Sequence, residues 1–305
     1  MVVDSPIAPS CTRNLGSRPW RAESPPRLST SSRYDPRRPI IIADLAEMRL
    51  QRHTLSNQRE DLDKAIVHFT GSILLPPISW LRHGPFMLEI LFTLAGALVI
   101  RSGVTKQPGD AIYATKYLVH LRDQPHETLN ISRHNVTELL VYALALHVEL
   151  EAGHAMQNIR EIANLSRELL TTEMADIDTI RLVDIIFKAV LSEIRPDVPG
   201  QPLDELIECL RVAMKRRPDL LQGRAAFAIS LGTRYSMTSV NGDYEEAMSI
   251  FDEITTSGNS QDKSVARFQG FATGLAATLA MARSEAHWTP EYLEEAIYRT
   301  RTSLS

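Results

Sequence analysis

The stretch LGTRYSMTSVNGDYEEAMSIFDEI, residues 231–254, decides how the chain is read. Leu231, Gly232 and Tyr235 stand at helical spacing, and a polar break at Asn241, Gly242 and Asp243 follows them. The second half opens on acids and then sets Ala247 and Phe251 four apart, so both lie on one helix face. Small residues let two antiparallel helices approach closely, and a large side chain supplies the facing knob. The stretch therefore predicts a helical hairpin.

The pattern recurs. DLDKAIVHF (61–69), DYEEAMSIF (243–251) and EYLEEAIYR (291–299) align on Ala65, Ala247 and Ala296. Each begins with acids, which suit the positive end of a helix, and carries Phe69, Phe251 or Thr300 four residues after its alanine. GDAIYATKYL (109–118) adds Ala114 and Leu118, and PLDELIECL (202–210) is a looser copy with Leu206 in the alanine slot. Helical runs rich in small residues precede several of them: FTLAGAL, LVYALAL, AAFAISLG and GLAATLAMA. Ala65 to Ala114 and Ala247 to Ala296 are each 49 residues, and Leu206 to Ala247 is 41. A two-helix unit returning at such a period is the signature of an α-solenoid. The expected fold is all-α: a superhelical array of about six antiparallel hairpins at 40–77, 85–125, 131–172, 176–217, 220–258 and 266–305. The third and fourth rest on helical periodicity more than on the motif.

Composition agrees with this reading. Aromatics make up 6% of the 305 residues and there are only 14 glycines, which disfavours a turn-rich β architecture. Residues 1–39 carry seven Arg, no Lys and three acids, with many Pro and Ser. They are too poor in apolar residues to offset the entropy of ordering, and a disordered tail is expected there. Prolines at 6, 9, 19, 25 and 26 would interrupt the amphipathic helix of a mitochondrial import signal, and no secretory signal is evident. The net charge of −4 leaves −8 on residues 40–305, which argues against a broad nucleic-acid face. The apolar run FMLEILFTLAGALVI, residues 86–100, is shorter than the ~20 residues of a bilayer span and holds Glu89, so a buried helix is expected. Cys11 and Cys209 form no CxxC or Cys/His pattern; a reducing, cytoplasmic setting fits.

Residues 231–251 resemble a tetratricopeptide repeat. Leu231, Gly232 and Tyr235 match the Leu-Gly-x-x-Tyr of its first helix; Gly242, Tyr244, Ala247 and Phe251 match the Gly-x-Tyr-x-x-Ala-x-x-x-Phe of its second. The intervening turn is expected to be longer than in the 34-residue consensus, and longer still before Ala65, Phe69 and Pro77. Stretched units of this kind look like the helical region of fungal proteins in which tetratricopeptide-like repeats precede a CHAT domain, a caspase-like peptidase module. The resemblance implies a repeat scaffold and no catalysis, because the His and Cys motifs of that module have no counterpart. Cys209, in LIECLRV, stands where a small buried hydrophobe belongs.

By the same match, Ala226, Ile229, Thr233, Ser236 and Met237 would line the inner face of the array and hold an extended or helical peptide. The same positions equally suit packing between adjacent units. Thr233 stands where repeats that grip a peptide C-terminus carry Asn. His147, Glu151 and His154 have spacings that a metal site could use, but Gly153 should end the helix and no HExxH is present. MKRRPD (214–219) reads as a helix stop, and the sequons at Asn130, Asn135 and Asn164 as chance matches. No cofactor or metal is expected. The functional expectation is a non-enzymatic scaffold for a protein or peptide partner, with self-association through the last hairpin as a further possibility. The alternative is a regulatory arm of a larger CHAT-type peptidase.

Overall fold

A computed structural model describes residues 37–75, 84–125, 130–150, 155–172, 176–194, 202–256 and 263–303. Twelve helices occur among these residues, and no strand. They are α1 (Arg38–Ser56), α2 (Arg59–Leu74), α3 (Pro85–Thr105), α4 (Pro108–Arg122), α5 (Arg133–Leu150) and α6 (Ala155–Thr171). Then follow α7 (Asp176–Glu193), α8 (Leu203–Arg216), α9 (Leu221–Thr238), α10 (Asn241–Thr256), α11 (Lys263–His287) and α12 (Pro290–Ser303). The protein is all-α, and its helices pack in neighbouring pairs. The expected disordered tail lies almost wholly outside the described residues.

The chain divides into two compact units, Met1–Val136 and Thr137–Ser305, with the division inside α5. In the first, α1 packs on α2, α2 on α3, and α3 on α4. In the second, consecutive helices touch from α6 to α12, and so do alternate ones, α6 with α8, α7 with α9, and α9 with α11.

Four helix pairs share one turn. Between α1 and α2, α3 and α4, α9 and α10, and α11 and α12 the connection is two residues long. In each, the first of these adopts a left-handed backbone: Asn57 at φ 54°, Lys106 at 56°, Ser239 at 57° and Trp288 at 45°. This conformation lets its N–H return to a carbonyl of the last helical turn, at 2.7 Å for Ser239 to Tyr235 and 2.9 Å for Lys106 to Ser102. The long turns expected from the sequence are therefore absent here. The residues in excess of a tetratricopeptide consensus extend the first helix instead, and the turn stays short.

The alanine slot is a packing position. Ala65, Ala114 and Ala247 are fully buried and Ala296 nearly so, and Phe69, Leu118 and Phe251 are buried one turn later. Gly232 serves closeness of another kind, since a Cβ there would lie 3.2 Å from a methyl of Leu279 on α11. Glycine thus eases the close approach of α9 and α11, since a larger side chain would require Leu279 to shift.

Helix α3 corrects one expectation. It runs 21 residues, so its length and apolarity suffice to cross a membrane. What it does in the fold is different: Leu88, Ile90, Leu94, Ala95, Ala97, Leu98 and Val99 are buried, and Arg101 is held by an acid from α4.

Candidate functional site

The polar residues that organise the hairpins stand at fixed offsets from the shared turn. Arg52, Arg101, Arg234 and Arg283 each lie five residues before the left-handed residue and nine before a partner at the start of the second helix. Arg101 gives Nε and Nη2 to the two carboxylate oxygens of Asp110, both at 2.7 Å. Arg234 does the same to Asp243, again at 2.7 Å twice. Arg52 grips Asp61 through Nε at 2.6 Å and through Nη2. A planar guanidinium offers two parallel donors to a carboxylate, which locks direction as well as distance. In α11 and α12 the residue at the partner position is neutral: Arg283 Nη2 donates to the Tyr292 hydroxyl at 3.0 Å, while the Glu295 carboxylate lies 4.0 Å from Nη1.

The acids stand in the first turn of the second helix, as the sequence suggested. Asp61, Asp110 and Asp243 are buried. The Arg52 hydrogen bonds hold the Asp61 carboxyl below the usual carboxylate range. Beside two of the clasps the next residue repeats a smaller bond, with His53 Nδ1 and Ser102 Oγ each donating to the carbonyl of the second turn residue, Gln58 or Gln107, at 2.9 Å.

Two clasps also join consecutive hairpins. The remaining Nη1 of Arg101 reaches Asp63 on α2 at 3.3 Å, and Nη1 of Arg234 reaches Asp204 on α8 at 2.6 Å. Asp63 stands two residues before Ala65, and Asp204 two before Leu206, so the two acids occupy one repeat position. The second helices are tied as well: Arg299 on α12 makes two bonds to Asp252 on α10, at 2.6 and 3.0 Å.

The α11–α12 hairpin replaces the carboxylate by stacking. The Arg283 guanidinium carbon lies 4.1 Å from the ring centre of Tyr244 and 3.9 Å from that of Tyr292. Tyr235 packs on Tyr244 with ring centres 5.3 Å apart. Burial pushes the Tyr244 hydroxyl up to about 12. Such a cation held between two aromatic faces is a packing device.

None of these arrangements pairs a nucleophile with a base. Cys209 is fully buried and burial pushes its thiol up to about 12, so it has the environment of a small hydrophobe rather than a nucleophile. No cluster of three metal-ligating side chains occurs among the described residues. His147 lies on α5, while Glu151 and His154 of the weighed metal triplet lie outside the described residues. A depression of about 200 Å³ between α7 and the start of α9 is lined by Ile180, Val183, Leu220 and Gln222, below the ~300 Å³ of the smallest usual ligand pockets. Arg217 of the basic MKRRPD stretch is spent on Asp219, whose carboxyl it holds at about 2.

The five residues expected on a binding face lie along α9. Ala226 and Thr233 are buried, Ile229 is half-buried, and Ser236 and Met237 are exposed. Accessibility thus rises toward the C-terminal end of the helix, where Ser236 Oγ donates to the Gly232 carbonyl at 3.0 Å. The Arg clasps were not among the sequence expectations, although R-x8-D-x3-A occurs at Arg52, Arg101 and Arg234, and R-x8-Y-x3-A at Arg283. The 49-residue interval separates Arg52 from Arg101 and Arg234 from Arg283 just as it separates the alanines.

No protein-family model matches the chain, and no curated protein matches it.

Proposed function

We propose that the protein is a non-catalytic scaffold of tetratricopeptide-like hairpins, stacked as an α-solenoid, that binds a protein or peptide partner inside the cell. The observation that carries this reading is the use of its polar residues. The repeated arginines and acids close turns and join hairpins, and the alternate contacts of α6 with α8, α7 with α9 and α9 with α11 are those a stacked array makes. The finer tetratricopeptide reading is supported at α9 and α10. There Leu231, Gly232, Tyr235, Tyr244, Ala247 and Phe251 are all buried, as the repeat's packing residues should be.

The partner-facing surface in this reading is the open end of the α9 face, with Ile229, Ser236 and Met237 at its edge. An apolar and hydroxyl surface on a rigid helix suits a peptide docked through its side chains, helical or extended. Selection of peptides from a random displayed library on the full chain, with a Met237→Glu, Ser236→Glu variant as the comparison, tests this. Peptides that lose binding to the variant while its helicity and melting are unchanged support the face. Peptides that bind both proteins equally, or no enrichment at all, sink it.

A further inference from the structure

One face of the first helix in each clasped hairpin can be followed through the repeat, counting 4, 7 and 11 residues back from the clasp arginine. In α3 these positions are Ala97, Leu94 and Ile90, and all three are buried. In α11 they are Leu279, Ala276 and Ala272, also buried, with Leu279 filling the space left by Gly232 of the preceding hairpin. In α9 they are Ser230, Phe227 and Gly223, buried again, and a Cβ on Gly223 would meet Val183 of α7 at 3.1 Å. In α1 the same positions are Met48, Leu45 and Ile41. Here Met48 is 55% exposed, Ile41 is 49% exposed and Leu45 is half-buried. The face by which a hairpin joins its predecessor is apolar and open on α1.

The opposite face shows the complementary pattern. In α9 and α10, Gly232 meets Leu279 and Tyr244 meets Arg283 of α11, and Met248, four residues after Tyr244, is buried as well. Their equivalents 49 residues on are Met281, Leu293 and Ile297, at 46%, 51% and 44% exposure. The charges match as well. Arg101 and Arg234 each spend Nη1 on the acid two residues before the alanine slot of the preceding hairpin. Arg52 uses only Nε and Nη2 on Asp61, and its Nη1 has no partner among the described residues. Two residues before Ala296 stands Glu294, exposed and equally without a partner among the described residues.

We propose that the α11–α12 hairpin of one copy of this protein receives α1 of a second copy, through the same joint that links hairpins within the chain. Met48 then meets Met281 where Leu279 meets Gly232 internally, and Arg52 reaches Glu294 as Arg101 reaches Asp63. Two methionines in place of a leucine and a glycine leave a wider but adaptable contact. Because the two faces differ, the association is heterologous, head to tail, and does not need a two-fold axis.

Light scattering on the full chain over rising concentration, with Met48→Glu and Met281→Lys variants alone and mixed, tests this. The wild type should gain mass with concentration, and each variant alone should weaken association about tenfold or more, as loss of a central buried contact does. An equal mixture of the two should associate again, because the carboxylate introduced by Met48→Glu in one copy faces the ammonium introduced by Met281→Lys in the other, and the second joint is unmodified. Both positions are exposed, so circular dichroism should show unchanged helicity; Glu294→Lys supplies an independent variant, expected to weaken association several-fold and to lower its salt sensitivity. A wild type that stays monomeric overturns the proposal. So does weakening by Met281→Lys without weakening by Met48→Glu, which marks a tail-to-tail contact, and so does failure of the mixture to associate.

Discussion

The hairpins α9–α10 and α11–α12 solve one problem by different chemistry. Both place an arginine nine residues before its partner across a two-residue turn with a left-handed first residue. In the first, the partner is the buried carboxylate of Asp243; in the second it is Tyr292, and the guanidinium is also covered by Tyr244. The charge pair is directional and depends on both ions being present. The stack is less directional and leaves no buried anion behind if the cation is lost. What the repeat preserves, then, is the location of the clasp rather than the identity of its partner.

The largest expected effect follows from that asymmetry. Arg234→Ala strands Asp243, whose side chain is 8% exposed, and should cost about 3–5 kcal/mol of unfolding free energy. Asp204→Ala removes only the exposed arm of the same arginine and should cost less than about 1 kcal/mol. Urea titration of both variants measures the difference; equal losses would mean that the turn clasp matters no more than the bridge between hairpins. Arg283→Ala comes next, at about 2 kcal/mol, because it removes two aromatic contacts without leaving a buried charge. If Arg283→Ala costs as much as Arg234→Ala, the distinction between charge pair and stack fails.

Much of this architecture is legible in the sequence. The apolar spacing marked the helices, and the alanine with a large residue four later marked the buried face of Ala65, Ala114 and Ala247, because burial in a helix pair demands small and large side chains at set intervals. The clasps were harder to see. An acid at a helix start and an arginine near a helix end each have a sufficient local explanation in the helix dipole, so neither invites a search for a partner nine residues away. The binding face was harder still. Ala226, Ile229, Thr233, Ser236 and Met237 share one side of α9, but periodicity does not say which part of that side another helix covers.

Acid separates the two kinds of clasp further. The carboxyl of Asp61 has a pKa lowered by Arg52, so its contribution to stability is fully present above the unfolded value of about 4 and is lost as pH falls through the folded value. The stability gap between wild type and Asp61→Asn should therefore narrow from pH 5 toward pH 2. The gap between wild type and Arg283→Ala should narrow less over that window, since tyrosine does not titrate there and Glu295, 4.0 Å from Arg283, stands beyond hydrogen-bond reach and is also paired with Arg299. Parallel behaviour of both gaps would remove the proposed difference in mechanism.

The smallest effect concerns the turn that the two hairpins share. Ser239 holds φ at 57°, a region that costs a side-chain-bearing residue energy and glycine almost none. Its side chain is exposed, so Ser239→Gly removes little packing. Glycine also loses more entropy on folding, which offsets part of the gain. The balance should be stabilising by about 0.5 kcal/mol, read as a small rise in the urea midpoint at constant slope. In the Arg234→Ala background the gain should persist, because the clasp orients the two helices while the left-handed residue only closes the turn. A gain that vanishes without the arginine would show that the clasp itself forces the backbone into that conformation, and the turn and the clasp would then be one device instead of two.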